Sequence, residues 1–473
     1  MPLDGAPSFY ATRKKVYPRS VGGLYRRIKW AFLAVLLGIY YTVPWLRWDR
    51  GPGAPDQAIL LDLPGGRAYF FWIEIWPQEV YYLSGLLILG AVGLFLATSL
   101  LGRVWCGYAC PQTVWTDLFM WVERLIEGDR TERMRRDQQP LSAGKAARKT
   151  IKHAAWLAIA VATGGAWVFY FVDAPTAFRD IFTGRASTEV YFFIGLFTAT
   201  TYLLAGWARE QVCTYMCPWP RFQAAMLDVH SLVVSYRTWR GEPRGKHKQG
   251  DSWDGRGDCV DCRACVVVCP TGIDIRDGQQ LECIGCGLCI DACNDIMQKV
   301  GRPQGLIAFD TLFNLEASAA AKPTRYRLIR PRTAIYSGVL VVVAMIMTAG
   351  LALRSTVELT VLRDRNPLFV TLADGAIRNA YTVKVLNKSR ETESYVLKVD
   401  GPPARLALVG DGEVGADAAS ATVEVKPDAV GTFRVTLRIE RPALAGESTP
   451  IVFHVSGTKS HASQATLFLG PKS

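Results

Sequence analysis

Five stretches of the chain carry no Asp, Glu, Lys or Arg: Trp30–Leu46, Val80–Gly102, His153–Val172, Val190–Ala208 and Thr333–Leu353. Each is long enough to cross a bilayer core, which takes about 17–25 helical residues. Trp30, Trp45, Tyr81, Tyr82, Trp207 and Tyr336 stand near their ends, as aromatic side chains do at a membrane boundary. The alternative is buried core helices of a soluble protein. Five such spans in one chain are hard to hide in a soluble core, so the pattern predicts five transmembrane helices. Between the second and third, Thr113–Ile126 has the spacing of an amphipathic helix on the membrane surface.

Beyond residue 354 the period changes to two. Thr382–Leu386, Tyr395–Val399, Ala421–Val425, Thr432–Ile439 and Pro450–Val455 alternate polar with apolar, and Gly, Pro, Asn and Asp separate them. That pattern predicts an antiparallel β-sandwich of roughly 100 residues. Asn387-Lys-Ser389 matches a glycosylation acceptor and reads as a chance match.

Charge sets the expected orientation. Segments 1–29, 103–152 and 209–332 carry seven, ten and seventeen Lys and Arg, whereas 47–79 and 173–189 carry three and two. Positive loops stay inside, so the N-terminus and the two basic loops are expected in the cytoplasm and the C-terminal domain outside. The basic stretch 128–150 reads as a solvated face beside anionic lipid. The same bias accounts for its charge, so no nucleic-acid partner is expected. The 473 residues are half hydrophobic, with 20% charged. This excludes a disordered chain and favours a membrane protein of about three units.

All twelve cysteines lie between Cys106 and Cys293. Cys259-x-x-Cys262-x-x-Cys265-x-x-x-Cys269-Pro270 is followed by Cys283-x-x-Cys286-x-x-Cys289-x-x-x-Cys293. In this spacing three thiolates of each run hold one 4Fe–4S cluster and the fourth crosses to the other. Cys259, Cys262, Cys265 and Cys293 are therefore expected on one cluster, and Cys283, Cys286, Cys289 and Cys269 on the second. Zinc sites pair C-x-x-C elements instead. Asn294 stands where Pro would match Pro270.

A second motif occurs twice, 107 residues apart: Cys106-Gly-Tyr-Ala-Cys110-Pro111 and Cys213-Thr-Tyr-Met-Cys217-Pro218. Each follows a span, which points to a duplication. If helical, the spacing puts both thiols of a motif on one face. A thiol before a helix is expected to have a lowered pKa. Packed as a pseudo-symmetric pair, Cys106, Cys110, Cys213 and Cys217 would converge, with Met216 as a further sulfur. Soft thiolates suit Cu(I) or zinc, and the spacing also leaves a third cluster, a redox disulfide or plain buried cysteines open. His153 and His230 read as interfacial or surface histidines.

The two Cys-Pro motifs, the double ferredoxin run, the fifth span and the outer β domain together resemble the FixG/RdxA/CcoG family of cytochrome c oxidase accessory proteins, from about Val16 onward. The resemblance implies a polytopic α-helical membrane protein of five transmembrane helices, with an inserted two-cluster bacterial ferredoxin-like α+β domain and a C-terminal all-β immunoglobulin-like sandwich. The expected segments are 1–29 cytoplasmic, 30–208 with four spans, 209–332 with the ferredoxin domain (about 250–310), 333–353 as fifth span and 354–473 periplasmic. It implies an inner-membrane cupric reductase, turning Cu(II) into Cu(I) for the cbb-type oxidase, with copper at the thiols of Cys106, Cys110, Cys213 and Cys217. The expected partners are copper ion, oxidase assembly factors and membrane lipid, and a homodimer is compatible with this reading. A quinol-linked membrane ferredoxin feeding a periplasmic reductase and a non-redox assembly scaffold are the competing readings.

Overall fold

The computed structural model describes residues 15–51, 54–248, 250, 252–389, 391–409, 418–458 and 460–471. The chain divides into two compact units, the first holding residues 55–347 with the N-terminal residues through Asp49, the second residues 348–473 with 50–54.

In the first unit four helices are long and apolar enough to cross a membrane, Leu24–Trp45, Pro77–Leu101, Ala143–Val168 and Thr188–Ala208, and a fifth, Pro331–Ala352, runs to its end. Leu86, Leu87, Val341 and Ile346 on these helices are exposed. A soluble core would cover such faces, whereas lipid solvates them. The first and third helices begin well before the charge-free stretches, at Leu24 and Ala143. The added turns carry buried cations. Arg26 and Lys29 pair with Asp117 at 2.9 and 3.9 Å, and Lys152 with Glu127 at 3.1 Å. A charge ends an apolar run without ending a helix when a buried partner compensates it.

The expected amphipathic helix is present as Pro111–Glu127. The basic stretch after it is only partly a solvated face. Arg133 is buried, pairing with Glu123 at 2.8 Å, and Lys149 pairs with Asp137 at 2.7 Å. The carboxylates lie upstream or within the stretch, so a count of basic residues does not reveal the pairing. A three-stranded antiparallel sheet, Ile59–Asp62, Arg67–Phe70 and Ile73–Ile75, occupies the loop between the first two spans, where strands this short leave little periodic signal.

The ferredoxin segment belongs to the same unit as the spans. Strands Val233–Tyr236 and Ile307–Asp310 pair antiparallel and bracket it, so it begins upstream of residue 250. Its helix Leu288–Lys299 also serves the first span. The Tyr25 and Arg26 backbone N–H groups donate to the Asp291 carboxylate at 3.2 and 2.8 Å. These are among the donors a helix start leaves without an internal partner.

The second unit is the expected sandwich. One sheet runs Ala404–Val409, Ala429–Ile439, Ile377–Asn387, Val357–Arg363, and the other Ser420–Val425, Glu393–Asp400, Ser448–Ser456, His461–Leu469. Alternate residues Tyr381, Val383 and Val385 are fully buried, as are Tyr395, Leu397, Phe453 and Phe468 opposite. The Asn387 side chain is also buried and donates to the carbonyls of Glu391 and Val425 at 2.9 and 3.1 Å. It is unavailable to a glycan.

Candidate metal centres

The two ferredoxin runs fold as copies of one turn. Asp261 and Arg263 flank Cys262 with φ of 52° and 55°, and Gly285 and Gly287 flank Cys286 with φ of 67° and 73°. Left-handed residues turn successive backbone N–H groups to one side, which makes a concavity suited to an anionic cluster. Glycine takes this conformation freely, whereas a side chain makes it cost about 1–2 kcal/mol. Arg276 braces the first copy, bonding Asp261 and Asp274, each at 2.6 Å.

Each run leaves a small cavity. One, of about 20 Å³, is lined by Cys259, Cys262, Cys265 and Cys293. The other, also about 20 Å³, is lined by Cys269, Cys283, Cys286 and Cys289, together with Cys265. The fourth cysteine of each run crosses to the other cavity. The remaining lining is mostly apolar, with Ile296, Met297 and Leu306 at the first and Ile273, Ile275 and Ile284 at the second. Burial pushes the Cys265 thiol up to about 11 and the Cys286 and Cys293 thiols up to about 12. Such thiols ionise only against a strong local positive charge, which bound iron supplies. Among the described residues, no three His, Cys, Asp or Glu side chains stand close enough to hold a single ion. Thiolates around a cubane stand farther apart than those around one zinc, so four-thiol cavities of this kind fit clusters. Asn294, in the place of the missing proline, accepts from the Gly305 N–H at 2.9 Å and pins the following loop.

The Cys-Pro motifs are also structural copies. Each is a single π-helical turn, Trp105–Ala109 and Val212–Met216, closed by Cys110 N–H to the Trp105 carbonyl and Cys217 N–H to the Val212 carbonyl, both at 2.8 Å. A left-handed residue precedes each, Gly102 at φ 66° and Arg209 at φ 44°, again 107 residues apart in sequence. Cys110, Cys213 and Cys217 all act on the electrostatics of Cys106, but no three of these four thiols stand close enough to hold a single ion. Met216 stays exposed. The expected lowering of thiol pKa fails at two positions. Burial pushes Cys106 up to about 12 and Cys213 up to about 11, and the neighbouring thiols add to this. The π turn draws these two cysteines inward, away from the helix starts that follow Cys110 and Cys217.

The first turn docks on the second cavity. Cys106 packs with Ile284, Cys286 and Leu288, and Cys213 joins them. The Tyr108 hydroxyl donates to the Cys286 carbonyl at 2.9 Å. The Arg103 guanidinium donates to the Cys283 carbonyl at 3.1 Å and to the Pro220 carbonyl at 2.7 Å, tying both Cys-Pro segments to the ferredoxin loop.

The chain is similar in sequence to known relatives along most of their length. The nitrogen fixation protein FixG of Rhizobium meliloti (strain 1021) is 50% identical, covering 92% of this chain and 88% of its own. The chain belongs to the FixG/RdxA family. RdxA and RdxB of Cereibacter sphaeroides are 51% and 50% identical, covering 90% and 94% of this chain and 90% and 91% of theirs. A 4Fe-4S dicluster domain matches residues 208–312, a 4Fe-4S binding domain residues 83–127, and the IG-like fold at the C-terminal of FixG residues 347–471. A FixG-related protein from Vibrio parahaemolyticus, solved by crystallography, covers 24% of this chain and 95% of its own at 24% identity, with a TM-score of 0.20. The chain is thus an iron–sulfur electron-transfer protein of the FixG/RdxA type.

Sequence reasoning missed several residues of this FixG/RdxA site. Gln223, fully buried, accepts from the Cys106 thiol at 2.9 Å and is itself held by Thr98 at 3.3 Å. It lies six residues past Cys217, and only the packing of the two Cys-Pro halves brings it to Cys106. Glu123 gathers Arg133, Arg209 and Lys152 at 2.8, 3.0 and 3.6 Å, which anchors the strained Arg209 before the second turn. His153 bonds the Tyr202 hydroxyl at 2.8 Å, and His230 packs on Phe313, both outside the thiol group.

Proposed function

We propose that this protein is a membrane-bound cupric reductase that supplies Cu(I) for assembly of a cbb-type oxidase. The contact of the Cys106 turn with the Ile284–Cys286 loop supports this reading, because it puts Cys106 and Cys213 next to ferredoxin cysteines. Cys259, Cys262, Cys265 and Cys293 would hold one 4Fe–4S cluster, and Cys283, Cys286, Cys289 and Cys269 the other. When bound, such clusters supply one-electron transfer.

The four Cys-Pro thiols differ in reach. Cys217 is exposed and Cys110 partly so, whereas Cys106 is buried. Cys110 and Cys217 would meet the incoming ion, and the more buried Cys106 and Cys213 lie behind them. Cu(II) gains one electron here and leaves as Cu(I). Thiolate favours the reduced ion, being a soft ligand. Each thiol that binds releases a proton to water. The positive-inside bias puts this site on the cytoplasmic side and the sandwich in the periplasm.

The test uses anaerobically purified full-length protein reduced with dithionite and freed of excess reductant. Added Cu(II) is followed with a Cu(I)-specific chromophoric chelator. Wild type should yield Cu(I), and the double variant Cys110→Ser with Cys217→Ser should yield it at least tenfold more slowly with iron content unchanged. Equal rates in the two proteins would remove copper from these thiols.

A further inference from the structure

One cavity of the first unit adjoins the second cysteine cavity, sharing Val234, Ile275 and Cys283 with it, and includes none of the Cys-Pro thiols. It has about 440 Å³, within the range of small-molecule sites. Cys283 and Gly285 of the second ferredoxin run form one wall, beside Arg103. Gln279, Asp228 and Gln280, whose amide donates to the Asp274 carbonyl at 2.6 Å, add polar groups, and the other side chains are mostly apolar, including Leu232, Val234 and Phe309.

Its position relative to the spans narrows the ligand. The Leu232 N–H bonds the Leu100 carbonyl at 3.2 Å, at the end of the second span. Arg330, just before the fifth span, bonds the Ser99 carbonyl at 2.8 Å and also the cavity residue Asp228. The apolar wall is thus moored at the ends of two spans, while the amide and guanidinium side chains lie beside a ferredoxin cysteine. A ligand matching both ends is amphiphilic, with a polar head and a lipid-soluble tail.

We infer that this cavity binds the head group of an isoprenoid quinol, which is the electron donor. The inference rests on the electron-transfer reading above and adds the source of the electrons. A quinol bound here is oxidised to the quinone. Its two protons go to water past Asp228, and its two electrons go singly to the 4Fe–4S centres of the eight ferredoxin cysteines. A free acyl chain would fill the apolar wall but has no electrons to pass to the centre beside Cys283, which favours the quinol.

The test is photolabelling of the purified holoprotein with an azido-ubiquinone, mapped by peptide mass spectrometry. Label is expected on segments 227–234 or 279–283, displaced by decylubiquinol and not by oleate. Leu312→Trp and Val229→Trp place an indole at the partly exposed rim. Each should cut the label at least tenfold with iron and acid-labile sulfide retained, which reports that the fold is kept. Label elsewhere, displacement by oleate, or full labelling in both iron-loaded variants would overturn the inference. Dithionite-driven Cu(II) reduction by wild type is measured separately, so loss of the quinol site and loss of copper reduction are distinguishable.

Discussion

Gly107 is a point of close approach between the first Cys-Pro turn and the ferredoxin loop. A Cβ built there would stand 2.9 Å from the Ile284 carbonyl oxygen, 3.0 Å from the Gly285 carbonyl oxygen and 3.1 Å from the Cys286 Cα. All three are backbone atoms, so no side chain can swing aside. Ordinary contact needs about 3.5 Å or more, so Gly107→Ala forces the two segments apart by roughly half an ångström. Overpacking of this kind costs about 1–3 kcal/mol. The shift also strains the Tyr108 bond to the Cys286 carbonyl and separates Cys106 from its neighbours. Thr214 holds the corresponding place in the second turn, where a side chain is already accommodated, so Thr214→Ala is the control. Thermal unfolding of the detergent-solubilised holoprotein should show a midpoint several degrees lower for Gly107→Ala. Cu(II) reduction after dithionite should slow in parallel. A wild-type midpoint for Gly107→Ala, or an equal loss for Thr214→Ala, would refute the close docking.

Two further outcomes test the supporting structure. Burial alone would raise the Glu123 carboxyl, but Arg209, Arg133 and Lys152 outweigh it and hold the pKa down to about 2, against an ordinary 4.5. A carboxyl depressed by folding contributes its stability above the ordinary value and loses it as pH falls toward the folded one. Wild type should therefore lose thermal midpoint between about pH 4.5 and pH 2. Glu123→Gln should be less stable by about 3–5 kcal/mol near neutral pH, because it leaves buried cations short of a partner, and should show a flatter acid limb over that window. Arg263 sits left-handed where Gly287 serves in the other copy. Arg263→Gly should raise resistance to unfolding by about 1 kcal/mol, measured by denaturant titration.

The sequence by itself determined the parts whose signals are local. Runs without charge specify membrane helices, because a bilayer core admits few unpaired charges. Period-two alternation specifies the sandwich, and the spacing of eight cysteines specifies the crossed pairing around two cavities. The 107-residue offset between Cys-Pro motifs was legible as a duplication, and it reappears in the backbone as matching π turns after matching left-handed residues.

Only the tertiary structure decided how these parts meet. Asp291 caps a helix by bonding Tyr25, 266 residues before it, Gln223 reaches Cys106 across 117 residues, and Glu123 collects cations from three separate segments. No pattern along a chain records such pairs, because each depends on where distant backbones cross. Thiol chemistry followed the same rule: the one-dimensional motif places Cys106 and Cys213 near helix starts, whereas packing buries them and raises their pKa. Desolvation is a property of everything around a side chain, and the neighbours in sequence are a small part of that surrounding.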